Sequence, residues 1–392
     1  MSFTIPAAYR TGYERARRSD PELAARCVEH TTAGDPAADA AIEALEGLPQ
    51  RRIHALITAG MERDAAGLRP APAALRELME LVGEEPGWFD SRAVYPGCRA
   101  FHADSDLYIE GLVGSSIIRG FSTLISLSFF ETGRLLDHGV RRLRQNIRQL
   151  IEITIPGGLE REGEGWKLSV RIRLIHAQVR RQLRRSGRWD EAELGVPIHA
   201  AHLAFAAANF SAMVVQAATR LGAAPTPEQR EAFVQIWRYS AHLMGVPETI
   251  LFRNEVEALD LFRVGEICKP FPDWDGRAMA HALVNSAPVV IGVTDPVERH
   301  KLALHVYRIS RALIGDERAD RLGFPAQRTR GVLAYRRTQR RLGRWIRRPF
   351  PGWERRVRAQ CFTDLVEHSQ LRQRLETYTL PPKLHSDEIP RW

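Results

Sequence analysis

Residues 166–187 read WKLSVRIRLIHAQVRRQLRRSG. Leu168, Ile172, Ile175, Val179 and Leu183 recur at i, i+4, i+7, i+11 and i+15. That spacing is one apolar stripe of a helix, and Gly187 supplies its stop. His176 stands four residues after Ile172 and three before Val179, so it lies in the stripe. Arg171, Arg173, Arg180, Arg181 and Arg184 cover the flanks, where solvent exposure is the ordinary expectation.

A histidine on an apolar face usually bonds a backbone carbonyl or a neighbouring side chain. It is also what a haem iron takes as proximal ligand, an imidazole with aliphatic side chains beside it. The preceding helix, GVRRLRQNIRQLIEIT, carries three stripes. Val140, Leu143, Ile147, Leu150 and Ile151 form its core face, and Arg141, Arg144 and Arg148 a cationic one. Arg142, Gln145, Asn146 and Gln149 form a third, whose uncharged amides suit a partly enclosed pocket better than open water. One arginine and three amides can hydrogen-bond iron-bound oxygen or a propionate.

The helical period continues along the chain. Thr226-Pro227-Glu228-Gln229 is a capping-box start with proline at the first helical position, and Gly245 ends that helix. Asp295-Pro296 opens another, closed by Gly315. Long helical patterns also cover about 51–66, 134–154, 199–221, 249–264 and 354–376, and no alternating strand series appears. Leu194–Thr219 lacks any Asp, Glu, Lys or Arg, yet holds Pro197, His199, His202, Asn209 and Gln216. A helix at the centre of a bundle fits it better than a lipid span. The motifs G-x-x-x-x-G-K-[ST], G-x-G-x-x-G, G-x-S-x-G and H-E-x-x-H are absent, which removes most support for nucleotide-fuelled, Rossmann-type, hydrolase and zincin readings.

The strings VRIRLIHAQVRR (Val170–Arg181) and TGRLLDHGVRRLRQNIRQLIEI (Thr132–Ile153) carry a resemblance. Two more segments join them: GRWDEAELGVPIHAAHLAFAAANFS (Gly187–Ser211) and TPEQREAFVQIWRYSAHLMGVPE (Thr226–Glu248). They give, in order, a tryptophan before a glycine-valine-proline loop, a small-residue helix, and a tryptophan followed by His-Leu-x-Gly-Val-Pro. Spread over about 90–265, the set resembles the MpaB-type and rubber oxygenase (latex-clearing) catalytic domain.

The resemblance implies an all-α, globin-like helical fold binding haem b, and oxidative cleavage of an isoprenoid double bond by dioxygen. It places the proximal iron ligand on His176, with Ile172 and Val179 against the cofactor. The distal arginine falls on Arg142, and Gln145 and Asn146 stand where rubber oxygenases have a lysine and a threonine. Gln145 cannot supply the lysine's charge. The family's upstream glutamate has no match among Phe121–Phe130, Glu131 being nearest. Arg119, inside the apolar stretch 111–130, needs an anionic partner if buried: a haem propionate, an anionic substrate, or an ordinary acid. His199, His202 and His242 suit packing roles better than ligation. The apolar segments 111–130 and 203–215 are expected to wall the substrate pocket.

Length and charge set the remaining expectations. The chain has 392 residues with 52 Arg, 4 Lys and net charge +9. Residues 321–360 are net +12 and 141–186 net +8, leaving −11 elsewhere. The four cysteines, Cys27, Cys98, Cys268 and Cys361, stand far apart, as thiols in a reducing compartment do. The N-terminus has no apolar signal region, so a cytoplasmic protein is expected. We place a haem-binding core at 90–320 between an N-terminal helical extension, 1–89, and a basic C-terminal one, 321–392. The expected partners are an apolar small molecule and dioxygen, with peripheral membrane contact through 328–358. There, Arg336, Arg337, Arg340, Arg341, Arg344, Arg347 and Arg348 interleave with Tyr335, Trp345, Phe350 and Trp353. A haem sensor or carrier without turnover, and a basic helical binder of membrane or nucleic acid, are the competing readings, nucleic acid being the weaker. Some arginines of 141–186 are expected to serve propionates or bound oxygen, and the rest to face outward.

Overall fold

The computed structural model describes residues 4–121, 123, 139–271, 274–347 and 349–370. Among them there are helices, turns and loops and no strand. The N-terminal helices are α1 (Arg10–Ala16), α2 (Pro21–Glu29), α3 (Pro36–Ala44), α4 (Gln50–Met61), α5 (Ala65–Leu68) and α6 (Ala73–Gly83). The middle holds α7 (Tyr95–Ala103), α8 (Ser105–Gly111), α9 (Ile117–Phe121), α10 (Gly139–Thr154), α11 (Glu164–Ser186), α12 (Glu191–Leu194), α13 (Ala200–Ala208), α14 (Val214–Leu221), α15 (Pro227–Leu243) and α16 (Glu255–Cys268). Then follow α17 (Trp274–Val290), α18 (Pro296–Ile314), α19 (Asp316–Arg321), α20 (Val332–Arg347) and α21 (Pro351–Gln370).

The start and stop signals act as chemistry requires. Thr226 Oγ1 accepts from Gln229 N at 3.2 Å and Gln229 Oε1 accepts from Thr226 N at 2.9 Å, closing the capping box of α15. Asp20, Asp35, Asn254 and Asp295 cap α2, α3, α16 and α18 by accepting from the backbone nitrogen three residues on, without the reciprocal bond. Gly187 ends α11 at φ +67°, a left-handed turn open to a residue without Cβ.

Helix α11 is the spine of the molecule. Trp166, Val170, Leu174 and Ala177 enter the larger of two adjoining cores, with α3, α6, α7, α10 and α15. Leu168 and Ile172 enter the second, with α2, α13 and α16. The helix therefore buries two faces, where the apolar stripe alone implied one. The N-terminal helices pack directly on this frame: α3 against α11, and α1 and α2 against α16. Helix α7 crosses α15 so closely that a Cβ on Gly97 would lie 2.4 Å from the Phe233 backbone nitrogen.

The uncharged stretch is interior. Ala200–Leu221 is long and apolar enough to cross a membrane by composition, but 83% of that window is buried inside the protein. It is one continuous rod of α13, a π turn at Asn209–Met213, and α14. A second π turn, Leu112–Ser116, links α8 to α9. The two wide turns lock together: Asn209 Nδ2 donates to Ser116 O at 2.7 Å, and Ser116 Oγ donates to Asn209 O at 3.0 Å. Each side chain thus supplies a donor to a backbone carbonyl of the opposite wide turn.

Candidate functional site

Helices α10 and α11 pack side by side. The core stripe of α10 is buried at Leu143, Ile147, Leu150 and Ile151, and Gln145 and Asn146 are half-buried. Gln149 is fully buried, with its amide Nε2 3.6 Å from Met244 Sδ of the loop after α15. The amide stripe is thus enclosed in part. Arg142 lies on described helical backbone, but its side chain is outside the described residues, as are 124–138 with Glu131.

On α11, His176 is half-buried between Ile172, which is buried, and Val179, which is half-buried. Among the described residues no three of His, Cys, Asp and Glu cluster as a metal cage would. The donor set at His176 therefore fits a metal that needs one axial imidazole and brings its other ligands with it, as haem iron does, and does not fit a chelated ion.

Two arginines of this segment differ from their expected places. Arg173 is buried and makes a two-point contact with Asp35, Nε to Oδ2 at 2.7 Å and Nη2 to Oδ1 at 2.9 Å. Arg180 is buried against Asp39 at 2.8 Å and also donates to Ile198 O at 3.0 Å. Arg181 and Arg185 both pair with Glu46, and Arg184 pairs with Glu191. Arg173 and Arg180 thus tie α11 to α3 from buried positions, whereas Arg184 and Arg185 face outward as expected, 42 and 58% exposed, and make surface pairs there. Asp35 and Asp39 sit on or beside α3, more than 130 residues upstream, which is why sequence spacing did not reveal the pairs.

Arg119 finds an ordinary acid. It reaches Glu266 at 3.1 Å and donates to Ile314 O at 3.2 Å. Glu266 also takes Lys269 and Arg318, each at 2.7 Å. Burial alone would raise the Glu266 carboxyl, but the three cations outweigh it and hold it at about 2. Burial lowers Lys269 to about 8 in spite of Glu266 beside it.

The histidines of α13 form a buried polar cluster. His199 Nδ1 accepts from His202 N at 3.1 Å, capping the helix, and its Nε2 meets the Tyr9 hydroxyl at 2.9 Å. His202 stacks on His199 with ring centres 4.7 Å apart, and its Nε2 meets Thr123 Oγ1 at 3.1 Å. Helix-start packing is what they do. Burial pushes His199 well below its ordinary value and His202 to about 3, the Lys269 cation adding to the latter. A consequence is measurable. Below about pH 6.5 the unfolded chain takes protons on these histidines while the folded chain refuses them. Stability is therefore complete above that pH and falls on acidification, by up to about 1.4 kcal/mol per pH unit for each histidine. Urea midpoints between pH 7 and 5 should show this slope, and His202→Gln should flatten it. An equal slope in that variant would assign the acid sensitivity elsewhere.

An apolar cavity of about 460 Å³ lies on the other face of α10. Val113, Leu143, Ile147, Val290, Val306 and Ile309 line it, and Glu110, His305 and Arg336 add polar edges. Gln145 lies opposite Leu143 and Ile147 on the helix, whereas Asn146, three residues after Leu143, borders the face that lines the cavity. From the segments expected to wall a substrate pocket, this cavity takes Val113 and Gly114 but nothing from 203–215; its other wall is α17 and α18. Sequence reading found α18 as a helix but assigned neither α17 nor α18 to the pocket, because their apolar positions look like any core stripe.

Residues 116–348, more than half of the chain, match the family described as "ER-bound oxygenase mpaB/B'/Rubber oxygenase, catalytic domain". A rubber oxygenase of Streptomyces sp. (strain K30) is 24% identical over 286 residues, covering 70% of this chain. The match spans about two thirds, 66%, of that relative's own length. The structure of latex clearing protein LCP in the closed state superposes with a TM-score of 0.63 at 20% identity, over 91% of this chain and 92% of the other. That likeness establishes a shared helical fold. With the ordered strings on α10, α11, α13 and α15 inside the matched region, the chain belongs to the family of MpaB-type and rubber oxygenase catalytic domains.

Proposed function

We propose that the protein is a haem b-dependent oxygenase that cleaves carbon–carbon double bonds of apolar, isoprenoid-type substrates with dioxygen. The observation that carries this reading is a half-buried imidazole, His176, on the apolar stripe of the central helix of a chain whose residues 116–348 match an oxygenase catalytic domain. His176 would hold the iron, and Ile172 and Val179 would pack beside the ring. Bound haem would supply the dioxygen binding and the electron chemistry that no side chain here offers. Arg142, Asn146 and Gln145 would donate hydrogen bonds within the site and help to exclude bulk water from it. Gln145 contributes a neutral donor where the rubber oxygenases carry a cation, so Arg142 is left to supply positive charge in that stripe.

The decisive measurement is dioxygen uptake by the purified holoprotein with a short polyprenyl alkene, read with carbonyl product by mass spectrometry. Stoichiometric carbonyl ends support the proposal. A haem-bearing protein that consumes no dioxygen with any polyprenyl would instead be a sensor or carrier, the reading that the neutral Gln145 favours.

A further inference from the structure

Helix α20 packs on the protein largely through its charged side. Arg336, Arg340 and Arg344 recur at i, i+4 and i+8 and form its inward face. Arg336 pairs with Glu110, Arg340 with Asp106, and Arg344 donates to Gly222 O while lying 4.0 Å from Asp104. The acids belong to the α7–α8 corner, so the helix is held by ion pairs on a negatively charged rim. Val332 and Leu333 in its first turn pack on the main core, but from Tyr335 onward its large apolar side chains point the other way. Tyr335, Leu342, Trp345 and Ile346, at i, i+7, i+10 and i+11, are 68, 53, 70 and 47% exposed. Phe350 and Trp353 extend this surface, 59 and 51% exposed, their rings 6.4 Å apart. Exposed Arg337 and Arg341 border it.

A soluble helix ordinarily buries its apolar face and wets its charges. Here an acidic rim takes the arginines, and an aromatic-aliphatic face with further arginines at its margin is left outside. We propose that this face, α20 with Phe350 and Trp353, docks peripherally on an anionic lipid bilayer. The chemistry selects lipid over a second copy of the chain. Tryptophan and tyrosine suit the boundary between headgroups and acyl chains. Marginal arginines keep their heads at the phosphates while their stems lie along apolar surface. A second copy would instead bring another strongly basic 321–360 segment against the first. Docking sets the apolar cavity, which Arg336 helps to line, about one helix diameter of ~10 Å from the lipid. The inference stands whether or not the protein binds haem.

The test is flotation of the full chain with phosphatidylcholine vesicles, with and without phosphatidylserine. Binding is expected with phosphatidylserine, weakening as salt rises. The triple variant Leu342→Ser/Trp345→Ser/Ile346→Ser should lower vesicle affinity by at least about tenfold. Arg337→Gln/Arg341→Gln should lower it by about fivefold per charge while leaving the aromatic face intact. All five side chains are exposed, so circular dichroism and thermal melting of both variants should match the parent. Three results would overturn the proposal. The parent does not float at low salt; the triple variant floats as well as the parent; or sedimentation shows a dimer that the triple variant dissolves, which would make the face a contact between copies.

Discussion

His176→Ala is expected to purify as a folded, colourless protein, while the parent carries a Soret band. His176 is the one histidine of α11, so under the proposed reading its removal would leave the iron without its protein ligand. The fold should survive because α11 is anchored by other contacts. Trp166, Val170, Leu174, Leu168 and Ile172 hold it in two cores, and Arg173 and Arg180 bind Asp35 and Asp39. Haem content per chain measures the effect, with far-ultraviolet circular dichroism as the check on folding. His176→Gly should also lose the band and regain it with added imidazole, which enters the space the side chain leaves. His242→Ala is the contrast. That ring lies edge-on to Trp88 at 5.7 Å and parallel to Tyr239 at 6.2 Å, a packing role, so its variant should keep its haem. A full Soret band in His176→Ala, or its loss in His242→Ala alone, would move the ligand away from α11.

What the sequence disclosed and what it hid divide along a physical line. Periodicity and capping are local, so α10, α11, α15 and α18 are readable from residues within a few turns of one another. The π turns at Leu112–Ser116 and Asn209–Met213 have no local signature, because the hydrogen bonds that satisfy them, Asn209 to Ser116 and back, join segments 93 residues apart. Amphipathic spacing tells which residues share a face but not which face turns inward. For α20 the acids Asp104, Asp106 and Glu110 decide that, and they reverse the usual choice. Arg119 illustrates the same limit. Its burial in an apolar helix was visible as a demand for an anion, but only the fold shows Glu266 meeting it. The ligand role proposed for His176 rests on the ordered motifs, since spacing alone makes it one more member of a stripe.

The basic segment 141–186 acquires a different meaning from the structure, and Arg173 tests it. Arg173→Ala is expected to destabilise the fold by about 3–5 kcal/mol, because Asp35 is left as a buried charge without its counterion. The effect exceeds that of an exposed pair such as Arg63–Glu162, worth at most about 1 kcal/mol. Asp35 has a second duty, accepting from Ala38 N at 3.2 Å as the cap of α3. Asp35→Asn keeps a capping oxygen and removes only the charge, whereas Asp35→Ala removes both and should cost about 1 kcal/mol more. The double variant Asp35→Asn/Arg173→Ala should be more stable than Arg173→Ala alone, since neither charge is then stranded. Gly245 gives an independent probe from the other side. At φ +86° it stops α15, and a Cβ there would lie 2.3 Å from Asp35 Oδ2 and 2.8 Å from Arg173 Nε. Gly245→Ala should therefore destabilise by prising the pair apart as well as by backbone strain, and it should cost less in the Asp35→Asn/Arg173→Ala background. Urea midpoints of the set measure these differences. If Arg173→Ala melts with the parent, α3 is not held to α11 by this pair, and the arginines of α11 would again be available for an anionic ligand.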